Sequence, residues 1–386
     1  MKKWAKRACL GLSLVLSFSI LLTGCKSIKK PIRLKERGII LAVGVDIGED
    51  GGFVLTAQKF SPKGAGSLSA IDPSKTNDVI MEGKGKSLTK AFLDMQTKHA
   101  KELFLGDNSY IIFGKKAAEK GISQFLPFFN ENYEQKKGAS ILISETTAKD
   151  IISNQVSGNI MPASSISEVI KKSKGIRTPG EALFYKLSAD ILSEKRSTLI
   201  PSIETTKTID DKDAFLASGT YFLKGDKLCD KLTQRELMGY LFLKNDCKNL
   251  FFPIEEDEKS YSVFITIKRL KKSFTFEEGR LYFDFKLKFS GQVKETIGEV
   301  RGKNDKSFVK DVEGLLEKEI ESCIKEFLKK TATENGCDGA ELSLFLKNKN
   351  PKLYKKLEKD FSTYLKKARF NVSVNFELNN LGLQKG

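Results

Sequence analysis

The first 25 residues restrict this chain more than any other stretch. Met1 to Arg7 carries four cations and no acid, and Ala8 to Leu22 is a predominantly apolar run of 15 residues. That run is too short and wrongly flanked for a membrane span and has the shape of an export signal. It closes on Leu22-Thr23-Gly24-Cys25, a lipobox pattern. Small residues let the chain thread a peptidase, and a thiol is soft enough to take a diacylglyceryl group as a thioether. An ordinary secretory signal that happens to contain a cysteine would not need these features in register. The expectation is a signal peptide over residues 1–24, cleaved after Gly24, and a mature protein starting at Cys25. Diacylglycerol on Cys25, with a further acyl chain such as palmitate, would be its only attached group. Two acyl chains, at about 0.8 kcal/mol per buried methylene, anchor stably where one is marginal.

The remaining 362 residues, Cys25 to Gly386, allow two or three domains and a sizeable core. Losing residues 1–24 removes four cations and no acid, so the net charge falls from +17 to +13. An exported, tethered chain meets anionic headgroups before any nucleic acid, and each Lys or Arg at such a surface contributes about 1 kcal/mol. Membrane lipid is therefore the expected partner and nucleic acid is not, although solubility alone explains a Lys-rich surface equally well. With Cys9 removed and Cys25 acylated, Cys229, Cys247, Cys323 and Cys337 remain, spaced by 18, 76 and 14 residues. Four cysteines outside the cytoplasm allow three pairings. The spacing fits no metal motif, and the reading favours free thiols.

Along the chain, Lys26 to Arg37 is a basic tether. Ile39 to Ile47 is a continuous apolar run, as expected of a strand buried on both faces, and Phe53 to Phe60 is its hairpin partner across Glu49-Asp50-Gly51-Gly52. Ser61 to Asp78 reads as an exposed loop. Ser87 caps a helix with Leu88, Ala91, Phe92, Met95 and His99 on one stripe. Strands are expected at Tyr110–Phe113 and Ala139–Ser144. Helices are expected at Lys115–Lys120, Ile122–Phe129, Thr147–Ser153, Ile166–Lys172 and Pro179–Ser193. The extended, Thr-rich stretch Pro201–Lys212 reads as a domain boundary. Beyond it lie strands at Phe215–Leu223 and Tyr261–Leu270, and a period-two strand from Leu281 with Tyr282, Lys286 and Lys288 on its wet side. A long helix follows over Ser307–Lys330, its stripe running from Phe308 to Phe327. A second helix over Leu353–Arg369 leads into the last strand, Phe370 to Leu378. The expected fold is α+β and multi-domain, with mixed or antiparallel sheets packed with helices and a long C-terminal helix across a sheet. The boundaries are 25–205 and 206–386, with a subdivision near 61–78 left open.

Catalytic chemistry is sparse. With one histidine, His99, a His-based general base or metal site has a single candidate. Gly85-Lys86-Ser87 lacks the glycine that a phosphate-binding loop needs five residues earlier, where Ile80 stands. No serine sits in a Gly-x-Ser-x-Gly elbow, and Glu317/Glu319/Glu321 read as a solvated helix face. The expectation is no catalytic and no metal residue.

Several blocks together resemble the Ger(x)C family. They are Leu34-Lys35-Glu36-Arg37-Gly38-Ile39 through Val43-Gly44-Val45-Asp46; Ser87 to Phe104; Tyr110-Ile111-Ile112-Phe113-Gly114 through Gly121; Gly219 to Leu228; Leu232-Thr233-Gln234-Arg235-Glu236-Leu237-Met238-Gly239; and Pro351 to Leu378. The chain departs from the family pattern at Lys26, Asp107–Asn108 and Asn130-Glu131, and has Tyr354, Phe361 and Tyr364 where tryptophans are usual. The resemblance implies the C subunit of a spore germinant receptor, without enzymatic activity, on the outer face of the inner spore membrane. Its implied partners are an A-type subunit and a transporter-like B-type subunit. The competing reading is a lipid-anchored extracytoplasmic solute-binding protein, which would need two lobes with parallel sheets throughout.

Overall fold

Unbroken apolar runs become the central strands of the first sheet, and the second sheet is built from alternating, one-sided strands. The computed structural model describes residues 4, 36–61, 78–132, 135–154, 162–193, 197–256, 259–297 and 306–380. Two units divide the chain, Met1–Arg37 and Gly38–Gly386, and the fold below is that of the second. Leu22, Thr23, Gly24 and Cys25 lie outside the described residues, as does most of the 61–78 stretch.

Arg37–Ile47 (β1) pairs antiparallel with Phe53–Phe60 (β2), and Asp78–Gly85 (β3) pairs antiparallel with β2. Leu88–Thr97 (α1) follows, with the Ser87 hydroxyl accepting the Lys90 N–H at 3.2 Å. Next come Glu102–Phe104 (β4), Tyr110–Gly114 (β5), Lys115–Lys120 (α2), Leu126–Glu131 (α3), Ser140–Ser144 (β6), Ala148–Ser153 (α4) and Pro162–Lys172 (α5). Ala182–Leu183 (β7), Phe184–Ser193 (α6), Leu199–Lys207 (β8), Asp213–Lys224 (β9) and Lys227–Leu232 (β10) complete the first layer system. Among the described residues these strands form a ten-stranded sheet in the order β10-β9-β8-β6-β5-β1-β2-β3, with β4 beside β1 and β7 beside β6. Strands β1, β5, β6 and β8 run parallel. Every residue of β5 and β6 is buried, because both sheet faces carry helices. Ile111, Phe113, Ile141 and Ile143 pack on α1, α2, α3 and α6, while Ile112 and Leu142 pack on α4 and α5 on the opposite side.

The stretch Pro201–Lys212 contains strand β8 as far as Lys207, with Leu199–Ile203 buried and Thr205 and Lys207 exposed, and the sheet continues through β9 and β10 to Leu232. Two expectations are corrected here. The expected helix over Pro179–Ser193 begins only at Phe184, after the short strand β7. His99 lies past the end of α1, whose last residue is Thr97.

Among the described residues the second sheet has four strands, Leu250–Glu256 (β11), Lys259–Glu277 (β12), Arg280–Ile297 (β13) and Arg369–Asn380 (β14). β11, β12 and β13 are antiparallel, whereas β14 lies parallel to β13. That parallel pairing requires a crossover. It is made by Lys306–Leu328 (α8), a π-helical turn over Lys329–Glu334, and three short helices, Leu342–Lys349 (α9), Pro351–Leu357 (α10) and Phe361–Lys367 (α11). The single helix expected over Leu353–Arg369 is thus broken into α10 and α11 by a tight turn at Glu358–Asp360. The inner face carries Leu281, Phe283, Phe285, Leu287 and Phe289 of β13, with Phe283 stacked on Phe370 at 5.9 Å and Phe289 on Phe376 at 6.4 Å. Val312, Leu316, Ile320, Cys323, Ile324 and Phe327 of α8 close this core together with Gln234–Leu243 (α7).

Of the acids expected as a solvated face on α8, Glu319 binds Arg235, whereas Glu317 and Glu321 share a different task with Glu313. Glu313, Glu317 and Glu321 accept the backbone N–H groups of Leu378, Phe376 and Val374 at 2.8, 2.8 and 3.4 Å, along the free edge of β14. Four helical residues rise about 6 Å and two strand residues about 6.6 Å, so an i, i+4 row of carboxylates matches alternate strand donors. This row covers an edge that would otherwise invite strand addition. Glu317→Ala is expected to cost about 1–2 kcal/mol in urea unfolding. Replacing all three acids should produce concentration-dependent self-association in sedimentation; a triple variant that stayed monomeric would show that the edge is covered by other means.

Candidate functional site

The residues that carry the family resemblance meet one another inside the fold. Near the end of β1 lies Asp46, whose carboxylate accepts the N–H groups of Ala148 at 2.8 Å and Lys149 at 3.0 Å, the first turn of α4. Burial pushes the Asp46 carboxyl up from its ordinary range, against the opposing effect of those two donors. A Cβ at Gly44 would lie 2.8 Å from Ala148 Cβ, and one at Gly114 would lie 2.0 Å from Asp46 Oδ1. The Gly-x-Asp step and the strand-terminal glycine are therefore the seat of one helix. A depression of about 540 Å³ opens beside it, lined by Asp46, Glu49, Asp50, Glu82, Lys84 and Lys149. Its buried carboxylate is already engaged by α4, and Glu82 pairs with Lys149 at 2.7 Å.

The block from Gly219 to Leu232 is a hairpin docked at both ends. At its turn Gly225 takes φ +65°, the Asp226 carbonyl accepts the Ile122 N–H at 2.8 Å, and the Asp226 carboxylate accepts the Ser123 hydroxyl. At its base the Glu145 carboxylate, just past β6, receives Lys231 Nζ at 2.7 Å, the Ser218 hydroxyl at 2.8 Å and the Tyr221 hydroxyl at 2.8 Å. Burial works to raise the Glu145 pKa, but Lys231, Ser218, Tyr221 and Ser202 together outweigh it and bring it down to about 2. Burial and the neighbouring Glu145 charge push the Tyr221 hydroxyl well above its ordinary value. Near neutral pH the acid is locked ionised and the phenol locked protonated. Neither can trade a proton, so the cluster is a clasp rather than an acid–base pair.

The hairpin leads into α7, where Thr233 and Glu236 form a reciprocal capping box. Arg235 binds Glu326 through Nε and Nη2 at 3.0–3.1 Å and also binds Glu319, both on α8. One turn on, a Cβ at Gly239 would lie 2.2 Å from the Cys323 carbonyl oxygen, so α7 and α8 touch backbone to backbone.

His99 is half-buried. Burial, with Lys59 and Lys98 nearby, holds its pKa below the ordinary value. Among the described residues no group of three or more His, Cys, Asp or Glu side chains could hold a metal, and no helix is long and apolar enough to cross a membrane. The wet face of the second sheet, flagged by Tyr282, Lys286 and Lys288, has an unusual charge pattern. Arg269 stands directly opposite Lys288 and Lys271 opposite Lys286, and like charges so placed destabilise a sheet. Lys288 also pairs with Glu377 at 2.6 Å. Farther along this face Phe251 and Phe264 form an exposed cross-strand pair with ring centroids 5.9 Å apart, and Lys294 lies 6.0 Å from the Phe264 ring centre. Sequence reasoning found the basic half of this face and missed the aromatic pair, whose signal was an exposed Phe in each of two adjacent strands.

This architecture is that of spore germination proteins. Residues 31–205 match the family described as "Spore germination protein N-terminal domain" and residues 218–382 match "Spore germination B3/ GerAC like, C-terminal". The chain is 21% identical to "Spore germination protein B3" of Bacillus subtilis (strain 168) over 386 residues, covering 95% of this chain and 97% of that protein. It is 22% identical to "Spore germination protein GerQC" of Bacillus cereus over 277 residues, covering 69% of this chain and 75% of that protein. The crystal structure of the GerBC protein superposes with a TM-score of 0.57 at 17% identity, covering 88% of this chain and 97% of that one, and shares the fold. The chain belongs to the Ger(x)C family of spore germination proteins.

Proposed function

We propose that this chain is a non-enzymatic, lipid-anchored subunit of a nutrient germinant receptor. In this reading diacylglycerol on Cys25 holds it at the outer face of the inner spore membrane, beside an A-type subunit and a transporter-like B-type subunit, where it serves receptor assembly and germination signalling. One observation carries the non-catalytic part. The residues that bear the family resemblance are engaged in seating helices and a hairpin, and the strongly perturbed carboxylate that holds one of them, Glu145 on Tyr221, has no proton to exchange at neutral pH. The lipobox sequence supports the anchor. The opposed cations and exposed aromatic pair of the second sheet suit an anionic bilayer surface, where rings enter the interface and cations meet headgroups.

A pull-down of the tagged lipoprotein from detergent-solubilised spore inner membrane tests the assembly. Co-recovery of a transporter-like membrane subunit and a larger A-type subunit is expected, whereas recovery of transport-ATPase components would favour a solute-binding role. Cys25→Ala should give a folded protein that leaves the membrane in about 1 M salt, where the Debye length is about 3 Å and headgroup attraction is screened. Full retention of that variant in high salt would disprove the lipid anchor.

A further inference from the structure

Two local irregularities bring Cys229 and Cys337 together. In β10 the pairing with β9 slips between Leu228 and Asp230, so Cys229 is the extra residue of a β-bulge. A bulge of this kind re-aims the side chain it carries. On the other side the chain leaves the π-helical turn after α8 through Gly336, which takes φ +67° and turns the following Cys337 back. Both thiols converge on Asn335: the Cys229 Sγ donates to Asn335 Oδ1 at 3.5 Å and the Cys337 Sγ donates to the Asn335 carbonyl at 3.7 Å. The two thiols are near enough for each to bear on the other's ionisation. Cys229 is half-exposed and Cys337 is buried, whereas Cys247 and Cys323 are buried within the second core.

We infer that Cys229 and Cys337 are a modification site, a thiol pair that closes to a disulfide and ties the first sheet covalently to the turn after α8. The inference rests on the export reading, because a disulfide persists only outside a reducing cytoplasm. The reaction balances with an external low-molecular-weight disulfide as oxidant. The Cys229 thiolate, the reachable one, attacks it and forms a mixed disulfide, releasing one thiol. The Cys337 thiolate then attacks the Cys229 sulfur and releases the second. Two S–H bonds are lost, one S–S bond forms, and the two electrons and two protons leave as the reduced oxidant. Burial pushes both thiols up, Cys337 to about 12, so closure accelerates as the pH rises. The bond would close a loop of more than a hundred residues, a length at which cross-linking restricts the unfolded chain strongly.

The test uses the full lipoprotein from spore membranes, alkylated with N-ethylmaleimide before denaturation and digested without reduction. A linked peptide pair containing Cys229 and Cys337, with Cys247 and Cys323 alkylated only after unfolding, is the expected result. Maleimide on both Cys229 and Cys337 would overturn it. A second arm separates geometry from compartment. The purified full chain is treated with oxidised dithiothreitol, which should form the same link and raise the Tm by about 5 °C, a rise absent from Cys229→Ser. If no link forms in that arm, the geometry fails wherever the protein resides. If it forms there while the spore protein is reduced, the proposal fails through the compartment, and the export reading is what must be revised.

Discussion

Gly239→Ala is expected to lower the stability of this protein by about 2–4 kcal/mol, reversing the usual sign of that substitution. Inside a helix, alanine is normally favoured over glycine by about 1 kcal/mol. Here the added methyl would lie 2.2 Å from the Cys323 carbonyl oxygen, 2.7 Å from the Cys323 carbonyl carbon and 3.0 Å from Ile324 Cα. All three are backbone atoms of α8, and none can rotate away. The helices must separate, which loosens Met238, Leu241 and Phe242 against Ile320, Ile324 and Phe327, and disturbs the edge contact of Tyr240 with Phe327 at 5.6 Å. Overpacking of this sort commonly costs 1–3 kcal/mol, and more where only backbone can yield. Gly314, on α8 itself, is the internal control because a Cβ there meets nothing within 4 Å. Gly314→Ala should be neutral or stabilising by up to about 1 kcal/mol. Urea unfolding of the two variants decides the matter, and equal stability would show that α7 and α8 do not approach this closely.

How far the sequence revealed this fold depended on whether burial was one-sided. β13 and β14 alternate apolar and polar side chains because one sheet face is wet, and α8 shows a helical stripe because one side of it is packed. α7 carries buried residues at Leu237, Met238, Gly239, Leu241, Phe242 and Leu243, with no polar face to mark a period, so only its capping Thr233 and Glu236 betray it. β3 was hidden because its short alternation is interrupted by Gly83 and Gly85, which are there to let α1 approach: Cβ atoms would lie 2.0 Å from the Ala91 carbonyl oxygen and 2.7 Å from the Ala91 nitrogen. The carboxylate row on α8 was misread for a related reason. Glu317, Glu319 and Glu321 look like a solvated face until the strand that Glu317 and Glu321 serve together with Glu313, some sixty residues away in sequence, is placed beside them. The candidate site was legible as motifs but not as contacts. Asp46 meets α4, Gly121 meets Asp226, and Glu145 meets Lys231, and each partnership joins segments that no local pattern connects.

Glu145→Gln should expose what that last partnership contributes, and pH should distinguish a charge clasp from simple packing. The glutamine keeps the shape but removes the counter-charge of Lys231, whose side chain is about two-thirds covered, while that of Glu145 is only 16% exposed. The folded-state pKa of Glu145 is about 2, against an ordinary value of 4.5, so this carboxylate stabilises the fold where the unfolded chain is also ionised. Its contribution is fully present above about pH 4.5 and is lost as the pH falls toward 2. At 1.36 kcal/mol per unit the shift corresponds to about 3 kcal/mol as an upper value. The wild-type advantage over Glu145→Gln should therefore be about 2–3 kcal/mol at pH 7. It should shrink by about 2 kcal/mol on going to pH 3, because there the unfolded wild-type chain takes up a proton that the folded carboxylate, still mostly ionised, does not, and the variant has no such group to titrate. Lys231→Met approaches the clasp from the other side: it leaves an ionised carboxylate held only by hydroxyls, so acid should narrow its deficit in the same way. Urea unfolding of the three proteins at pH 7 and pH 3 measures this directly. A gap that stayed constant across that range would mean Glu145 holds the hairpin by shape and hydrogen bonding alone, and its ionisation would then have no part in fixing β10 to the sheet.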